Sequence, residues 1–450
     1  MIINMPSNAN LILDELNNNR YEAYIVGGCV RDSLLGRTPN DWDICTNAKP
    51  DEMLEVFSNL KIIPTGLKHG TITIIINGEQ FEVTTFRIDG EYSDGRRPDD
   101  VEFTDDIVKD LSRRDFTINA MAYNTEKGLI DPFNGRDSIA YKEIRCVGIP
   151  DSRIQEDGLR MLRAVRFASQ LGFTISTQTE QAIMKNKELL HQISKERIRE
   201  EFNKILLSDE PSYGIDNLHL LGLLVFIVPE LKYCYGLSQF NPNHDKDVFE
   251  HTMAVLDNIE PKIELRLAAL LHDIGKPNTF TIGEDGVGHF YSHHKESARM
   301  CRDIMTRLKY SNKEIEYVSE LVYHHMTRYE KLRTPSVKKF INKVGIYKLD
   351  DLFKLFIADR IGSKPPYEFD DIYKLKFECE KILSEKQPLN VRDLAINGND
   401  LMNIGIPQGK EIGKILNDLL EMVLEDIELN NRETLLEIAK NTHLNDIKSS

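Results

Sequence analysis

The chain has 450 residues, 41% hydrophobic and 29% charged, with a formal net charge of −15. That balance is ordinary for globular protein, the length suits several domains, and no apolar run reaches about 18 residues, so no membrane span is expected. The opening MIINMPSNAN lacks the basic start and apolar core of a secretory signal. Cys29, Cys45, Cys146, Cys234, Cys301 and Cys379 form no CxxC pair, which favours reduced thiols in the cytoplasm over disulfides or a zinc knuckle. The acidic excess alone argues against a nucleic-acid partner, although a local basic face is compatible with it.

In chain order, Tyr24-Ile25-Val26 reads as a strand running into Gly27-Gly28, where missing side chains let backbone approach a phosphate. A helix starts at Val30–Leu35 and stops at Gly36. Asp41 to Cys45 reads as a second strand, on which Asp41 and Asp43, at i and i+2, face the same way. Such a pair can share two divalent metals that activate a hydroxyl and neutralise a leaving pyrophosphate. An isolated Asp-x-Asp is usually a solvated turn, but the Gly-Gly-x-Val-Arg-Asp just upstream reverses that reading here. A helix is expected at 52–59. Gly70–Ile76, Asn77-Gly78 and Gln80–Phe86 then spell a hairpin, with Glu82 either a third metal ligand or an exposed strand glutamate. Residues 87–100, rich in Gly, Asp and Arg, are expected to form a mobile loop.

From residue 156 the pattern turns helical, with Leu159, Leu162, Ala164, Val165 and Phe167 at helical spacing over 156–171. Further helices are expected at 177–191 and 195–208. Pro and Gly over 211–245 mark a change of unit. A histidine-rich helical block (246–362) comes next, then another helical stretch (366–450). Asp157 and Arg160, at i and i+3, share a helix face, and Arg163 and Arg166 are expected to continue it.

Gly27 to Arg37 followed by Asp41-Trp42-Asp43-Ile44 resembles the signature of class II tRNA nucleotidyltransferases, the CCA-adding enzymes, which bacterial poly(A) polymerases share. Asp110 to Ala120, Asp131-Pro132-Phe133-Asn134-Gly135 and Glu156 to Phe167 resemble the family's second motif, third motif and nucleotide-selecting helix. The loop from Arg87-Ile88-Asp89-Gly90 to Asp94-Gly95-Arg96-Arg97-Pro98 resembles its flexible loop. The resemblance covers about residues 20–240. It implies metal ligands at Asp41 and Asp43, binding of triphosphate or sugar by Gly28, Arg31 and Arg114, and base reading by Asp157 and Arg160, with Arg163 and Arg166 helping to hold base or phosphates. Members that stop after two cytidines lack most of the flexible loop, so its retention implies capacity to add A.

Glu250-His251, Leu271-His272-Asp273-Ile274-Gly275-Lys276-Pro277, His293-His294, His324-His325 and Asp359-Arg360 form an ordered series. Imidazoles and carboxylates suit transition metals and a water made nucleophilic by them. The series resembles an HD domain, a metal-dependent phosphohydrolase fold, implying His251, His272, Asp273 and Asp359 as core ligands and His294 and His324 as support for a second metal. His325 and His289 read as structural. Asp393 to Leu401 and Ile404 to Gly413 resemble the family's tRNA-gripping tail.

The expected architecture is an α+β nucleotidyltransferase head with a mixed sheet (1–150), then an all-α neck (151–240), an HD-type helical domain (241–365) and a helical tail (366–450). The expected activity is Mg²⁺-dependent, template-independent addition or repair of the tRNA 3′ CCA from CTP and ATP, in the cytoplasm, with a transition metal in the HD block. The alternatives are an A-adding enzyme or poly(A) polymerase of the same family, an HD phosphohydrolase, and a non-catalytic tRNA-binding protein. The lack of a strongly basic C-terminal extension counts against poly(A), and the intact carboxylates against the last.

Overall fold

The structure is a computed structural model that describes residues 2–90, 100–240, 245–284, 286–327 and 332–449, without the side chains of Thr65 and 442–449. It divides into two compact units, Met1–Pro229 and Glu230–Ser450.

Among its described residues the first unit has eleven strands: β1 (Ala23–Val26), β2 (Ile44–Thr46), β3 (Lys61–Gly66), β4 (Thr71–Ile76), β5 (Glu79–Thr85), β6 (Arg87–Asp89), β7 (Val101–Phe103), β8 (Ala122–Asn124), β9 (Gly128–Ile130), β10 (Glu143–Ile144) and β11 (Thr174–Ile175). Seven form one sheet in the order β3-β4-β5-β2-β1-β8-β9. The β2–β5 pair is parallel and its neighbours are antiparallel, so the sheet is mixed. The β4–β5 turn is the Asn77-Gly78 hairpin read from sequence, and both turn residues have positive φ, as a two-residue turn of this hand requires.

Alternate strand residues face opposite sides, and both sides of the central strands are covered. Ile25, Ile44, Phe81 and Val83 pack with Ile12, Leu13 and Leu16 of the helix Ser7–Asn18. Tyr24, Val26 and Cys45 pack on the other face with Phe86, Ile107 and Leu111. This two-sided burial is why β1 is apolar throughout instead of alternating. Helices Pro150–Glu156, Leu159–Leu171, Thr177–Asn186, Lys195–Leu206 and Pro211–Leu220 complete the unit.

In the second unit, helices Val248–Asp257, Ile263–Leu271, His293–Arg307, Asn312–His324 and Leu349–Gly362 pack against one another. A small hairpin, Phe280–Ile282 with Gly288–Phe290, interrupts them and was not legible in the helical pattern. Leu401, Ile406, Leu419, Leu420, Val423 and Leu435 form a separate apolar core near the carboxyl end. Among the described residues no helix is long and apolar enough to cross a membrane. All six cysteines are buried and unpaired.

Candidate active site

The predicted second strand starts later than the sequence suggested. β2 begins at Ile44, and Asp41, Trp42 and Asp43 lead into it. The Val26 N–H donates to the Asp43 carbonyl at 2.9 Å, so Asp43 is still fixed at the strand entrance. Register then decides its company. Ile44 pairs with Val83 and Cys45 with Thr84, which brings Asp43 beside Glu82 on the face opposite Ile44 and Val83. Desolvation first, then the negative charges of Glu82 and Asp41, push the Asp43 carboxyl above its ordinary value, while Arg114 pulls the other way. Carboxylate oxygens of this kind suit a hard divalent cation, although Asp41, Asp43 and Glu82 are not gathered within ligand distance of one another in the way the histidine triads are.

The Gly-Gly turn works through its first glycine. Gly27 has φ +82°, and a Cβ there would lie 2.8 Å from Arg114 Nη1. The missing side chain therefore lets the Arg114 guanidinium lie against the turn, beside the carboxylates. Gly28 begins the helix Gly28–Leu34. Arg31, on that helix, donates through Nη1 to Asn119 Oδ1 (2.6 Å) and through Nε to Asp32 (2.9 Å). Asn119 donates to Asp115 Oδ1 at 3.2 Å. Asp115 Oδ2 accepts from Arg163 Nε at 2.8 Å and Nη2 at 2.5 Å. Burial opposes the Asp115 charge, yet Arg163 and Asn119 hold its carboxyl well below the usual range. The chain Arg31–Asn119–Asp115–Arg163 thus ties the glycine turn to the helix Leu159–Leu171.

That helix differs from the sequence expectation. It starts at Leu159, and Asp157 lies outside it with an extended backbone (φ −147°, ψ 106°), after the separate helix Pro150–Glu156. Asp157 Oδ1 accepts from the Leu159 N–H at 3.0 Å, and Oδ2 accepts from Arg197 Nη2 at 2.9 Å. The carboxylate therefore caps the helix instead of sharing its face. Nor do the arginines form one ladder, because steps of three residues drift round a helix of 3.6 residues per turn. Arg160 donates to Glu156 and to the Arg153 carbonyl. Arg163 holds Asp115, and buried Arg166 pairs with Glu201 at 3.2 Å.

Phe167 gathers three of these cations. The guanidinium carbons of Arg31, Arg163 and Arg166 lie 5.1, 5.5 and 4.2 Å from its ring centroid. Burial first, with Arg163 and Arg31 adding, pulls Arg166 down to about 10. Sequence reasoning singled out the arginines but missed Phe167, Asp115, Asn119, Gly27 and Arg197 as individual contributors. Of the predicted flexible loop, Arg87, Asp89 and Gly90 are described, with Arg87 paired to Asp89 at 3.0 Å. Asp94, Gly95, Arg96, Arg97 and Pro98 lie outside the described residues.

A second constellation lies in the unit Glu230–Ser450. His251 Nε2 is 3.1 Å from Asp359 Oδ1 and 3.3 Å from His272 Nε2, and His272 Nε2 is 3.1 Å from Asp273 Oδ2. The other Asp273 oxygen is 3.2 Å from His293 Nε2, which lies 3.2 Å from His325 Nε2. Two triads, His251/His272/Asp273 and Asp273/His293/His325, therefore share one carboxylate, all five residues buried. The sequence expectation of His294 and His324 as second-metal support is corrected. Their immediate neighbours His293 and His325 are the ones gathered with Asp273, while His294 and His324 each pack against Tyr323. The structural reading of His325 is corrected with them, whereas His289 stacks on Tyr291 and belongs to neither triad.

The reason is a shared anchor. The Nδ1 atoms of His272, His293 and His325 meet the carbonyls of Ala269, Phe290 and Val322 at 2.8, 2.8 and 2.6 Å. A carbonyl only accepts, so each Nδ1 carries a proton and each ring turns its Nε2 into the cluster. The Nε2 atoms of His293 and His325 lie 3.2 Å apart, and two lone pairs at that distance repel unless a cation or proton lies between them. Burial opposes charge on His272, but Asp273 and Asp359 raise its pKa, whereas burial pulls His325 down to about 4. Asp273 also pairs with Lys276 at 2.7 Å. The cluster opens on a cavity of about 800 Å³ lined in part by Lys276, Arg360 and Lys364.

Comparison with known proteins agrees with this layout. A model of the poly A polymerase head domain matches residues 23–145. One described as a probable RNA and SrmB-binding site of polymerase A matches 172–234, and the HD domain matches 248–361. A CCA-adding enzyme of Lactobacillus johnsonii is 34% identical over 433 residues, covering 96% of both chains. One of Ligilactobacillus salivarius is 34% identical over 434 residues, covering 95% of both. The crystal structure of the Bacillus stearothermophilus CCA-adding enzyme in complex with CTP superposes with a TM-score of 0.74 at 27% identity, covering 99% of this chain and 100% of that one.

Proposed function

This chain belongs to the family of CCA-adding enzymes, and from that premise we propose how its residues divide the work of completing the 3′ CCA of tRNA from CTP and ATP. The tRNA 3′ hydroxyl attacks the nucleotide α-phosphate, and pyrophosphate leaves. Asp41 and Asp43, with Glu82 beside them, would hold Mg²⁺, which when bound supplies charge neutralisation at the reacting phosphate and a more acidic attacking hydroxyl. Arg114, lying against Gly27, meets triphosphate charge, and Gly28 lets backbone approach it. Arg31 and Arg163, cross-linked through Asn119 and Asp115, keep the sugar and phosphate side in register with the selecting helix. Asp157 and Arg160 read the base edge: a carboxylate accepts from the amino group of C or A, and a guanidinium donates to ring acceptors. Arg166 braces that helix through Glu201. Catalysis is then mostly positioning and charge neutralisation.

The observation that carries this reading is the convergence of Asp43, Glu82 and Arg114 at one end of the head sheet, linked by hydrogen bonds to the selecting helix. We assign 1–150 to the head, 151–240 to the neck, 241–365 to the HD block and 366–450 to the tRNA-holding tail. We place the protein in the cytoplasm, a reading supported by its six buried, unpaired cysteines.

The test offers tRNA transcripts ending before the CCA, after C and after CC, with CTP and ATP alone and together. Sequential C, C, A addition supports the reading. Extension of the CC-ended transcript alone demotes it to A addition, and long A tails point to a poly(A) polymerase.

The paired triads favour a second reading for the carboxyl half: a metal-dependent phosphohydrolase. Its neutral-imidazole donors suit a transition metal, and Lys276, Arg360 and Lys364 suit a phosphoester in the adjoining cavity. Phosphate release from a 3′ phosphomonoester, or ring opening of a cyclic phosphodiester to a monoester, that survives loss of Asp41 but not of Asp273 would establish it.

A further inference from the structure

Reading C and A alike against U and G is a question of one hydrogen-bond polarity. Cytosine N4 and adenine N6 donate, while uracil O4 and guanine O6 accept. An ionised carboxylate only accepts. It favours the first pair only if its oxygen is held where the amino group arrives, because a carboxylate free to turn can evade a carbonyl or admit a bridging water. Whatever fixes Asp157 therefore bears on which bases enter.

Two contacts fix it. The Leu159 N–H holds Oδ1, and Arg197 Nη2 holds Oδ2 from forty residues further along the chain. One contact alone leaves rotation of the carboxylate plane, and the second removes it. Each oxygen keeps a further lone pair for the base. Both side chains are largely shielded, 18% exposed for Arg197 and 13% for Asp157, so water screens the pair little. Arg197 is itself placed: it sits in the first turn of the helix Lys195–Leu206, and its N–H donates to the capping Ser194 side chain.

We propose that Arg197 is a positioning residue that locks the Asp157 carboxylate and thereby sets selection of amino-bearing bases over carbonyl-bearing ones. This rests on the reading of Asp157 given above. Arg197 needs no contact with the nucleotide; it acts through Asp157.

The test compares the full-length protein with Arg197→Met and Arg197→Lys. The measured quantity is kcat/KM for CTP and UTP on tRNA ending before the CCA, and for ATP and GTP on tRNA ending in CC. Arg197→Met should lower the CTP:UTP and ATP:GTP ratios about tenfold or more. Arg197→Lys, which keeps the charge but not the planar fork, should fall between. A purely structural role would lower all four values together and leave the ratios alone. Ratios kept within about twofold in Arg197→Met overturn the proposal. If that variant does not fold, unchanged ratios in Arg197→Lys overturn it, and lowered ratios support it. The wild type serves as the separate check: if it adds no C, C, A, the functional reading falls. If it does and the variants keep its selectivity, only the role of Arg197 falls.

Discussion

Replacing Phe167 with leucine tests whether one ring organises the three arginines around it. Three guanidiniums lie 4.2–5.5 Å from its centroid, and an aromatic face offsets part of their mutual repulsion. Each cation over a ring contributes about 0.5–1 kcal/mol, so the set is worth about 1.5–3 kcal/mol. If that energy serves to place Arg31 and Arg163, its loss lowers kcat/KM for CTP by about ten- to a hundredfold, at about 1.4 kcal/mol per decade. Leucine retains much of the apolar bulk, so the fold should persist. The edge contact with Phe116, at 5.8 Å and 81°, is also lost and should lower the unfolding midpoint modestly. The assay is steady-state CTP incorporation into tRNA ending before the CCA, on protein shown to be folded by its melting curve. Phe167→Tyr keeps the ring face and should stay within about threefold of wild type. A Phe167→Leu enzyme within about twofold of wild type would refute the reasoning, as would a tyrosine variant that falls equally far.

The geometry makes three further outcomes testable. Asp43→Asn should abolish nucleotide addition yet raise the unfolding midpoint in chelator-treated protein. The folded Asp43 pKa is raised, so its ionised form opposes folding at neutral pH. That penalty disappears as pH falls below the unfolded carboxylate value near 4, and the midpoint advantage of Asn should shrink with it. Gly27→Ala should reduce activity more than Gly28→Ala, because a Cβ at 27 meets Arg114 at 2.8 Å on a backbone with φ +82°, whereas a Cβ at 28 finds only Arg31 Nη2, at 3.7 Å. Steady-state CTP incorporation measures this, and equal losses would contradict it. Asp273→Asn removes the carboxylate common to both histidine triads and should lower bound transition metal in elemental analysis of purified protein, whereas His294→Ala should not.

Some of the site was legible because its signals are local. The hairpin at Asn77-Gly78 depends on two adjacent residues that tolerate positive φ, and Asp43 is fixed at the strand entrance by the Val26 N–H although β2 begins only at Ile44. The selecting helix was misread for an equally local reason that apolar periodicity hides. Leu159, Leu162 and Phe167 keep their helical spacing, but Asp157 turns extended and caps the helix that begins at Leu159. A carboxylate before a glycine at a helix start is a stop-and-restart signal, and it outweighed the smooth pattern around it.

The histidines show the other limit. His293 and His294, or His324 and His325, are equivalent by composition, and neighbours on a helix point about 100° apart. What separates them is where the helix ends. His272 and His325 come directly after the last residues of their helices, and His293 opens its own. All three reach back to the carbonyl three residues earlier, which frees the same nitrogen on each ring. Helix boundaries are the least certain feature of a sequence reading, and here a one-residue shift exchanges a histidine gathered around Asp273 for one packed on Tyr323. Arg197 lay beyond reach for a different reason. Its partner is forty residues away, and among the acids and bases of the Lys195–Leu206 helix only the packing of that helix against Leu159–Leu171 identifies the one that meets Asp157. The role proposed for Arg197 makes selectivity depend on a residue outside the motifs that announce the site, which is why nucleotide ratios, and not activity alone, are the sensitive measurement.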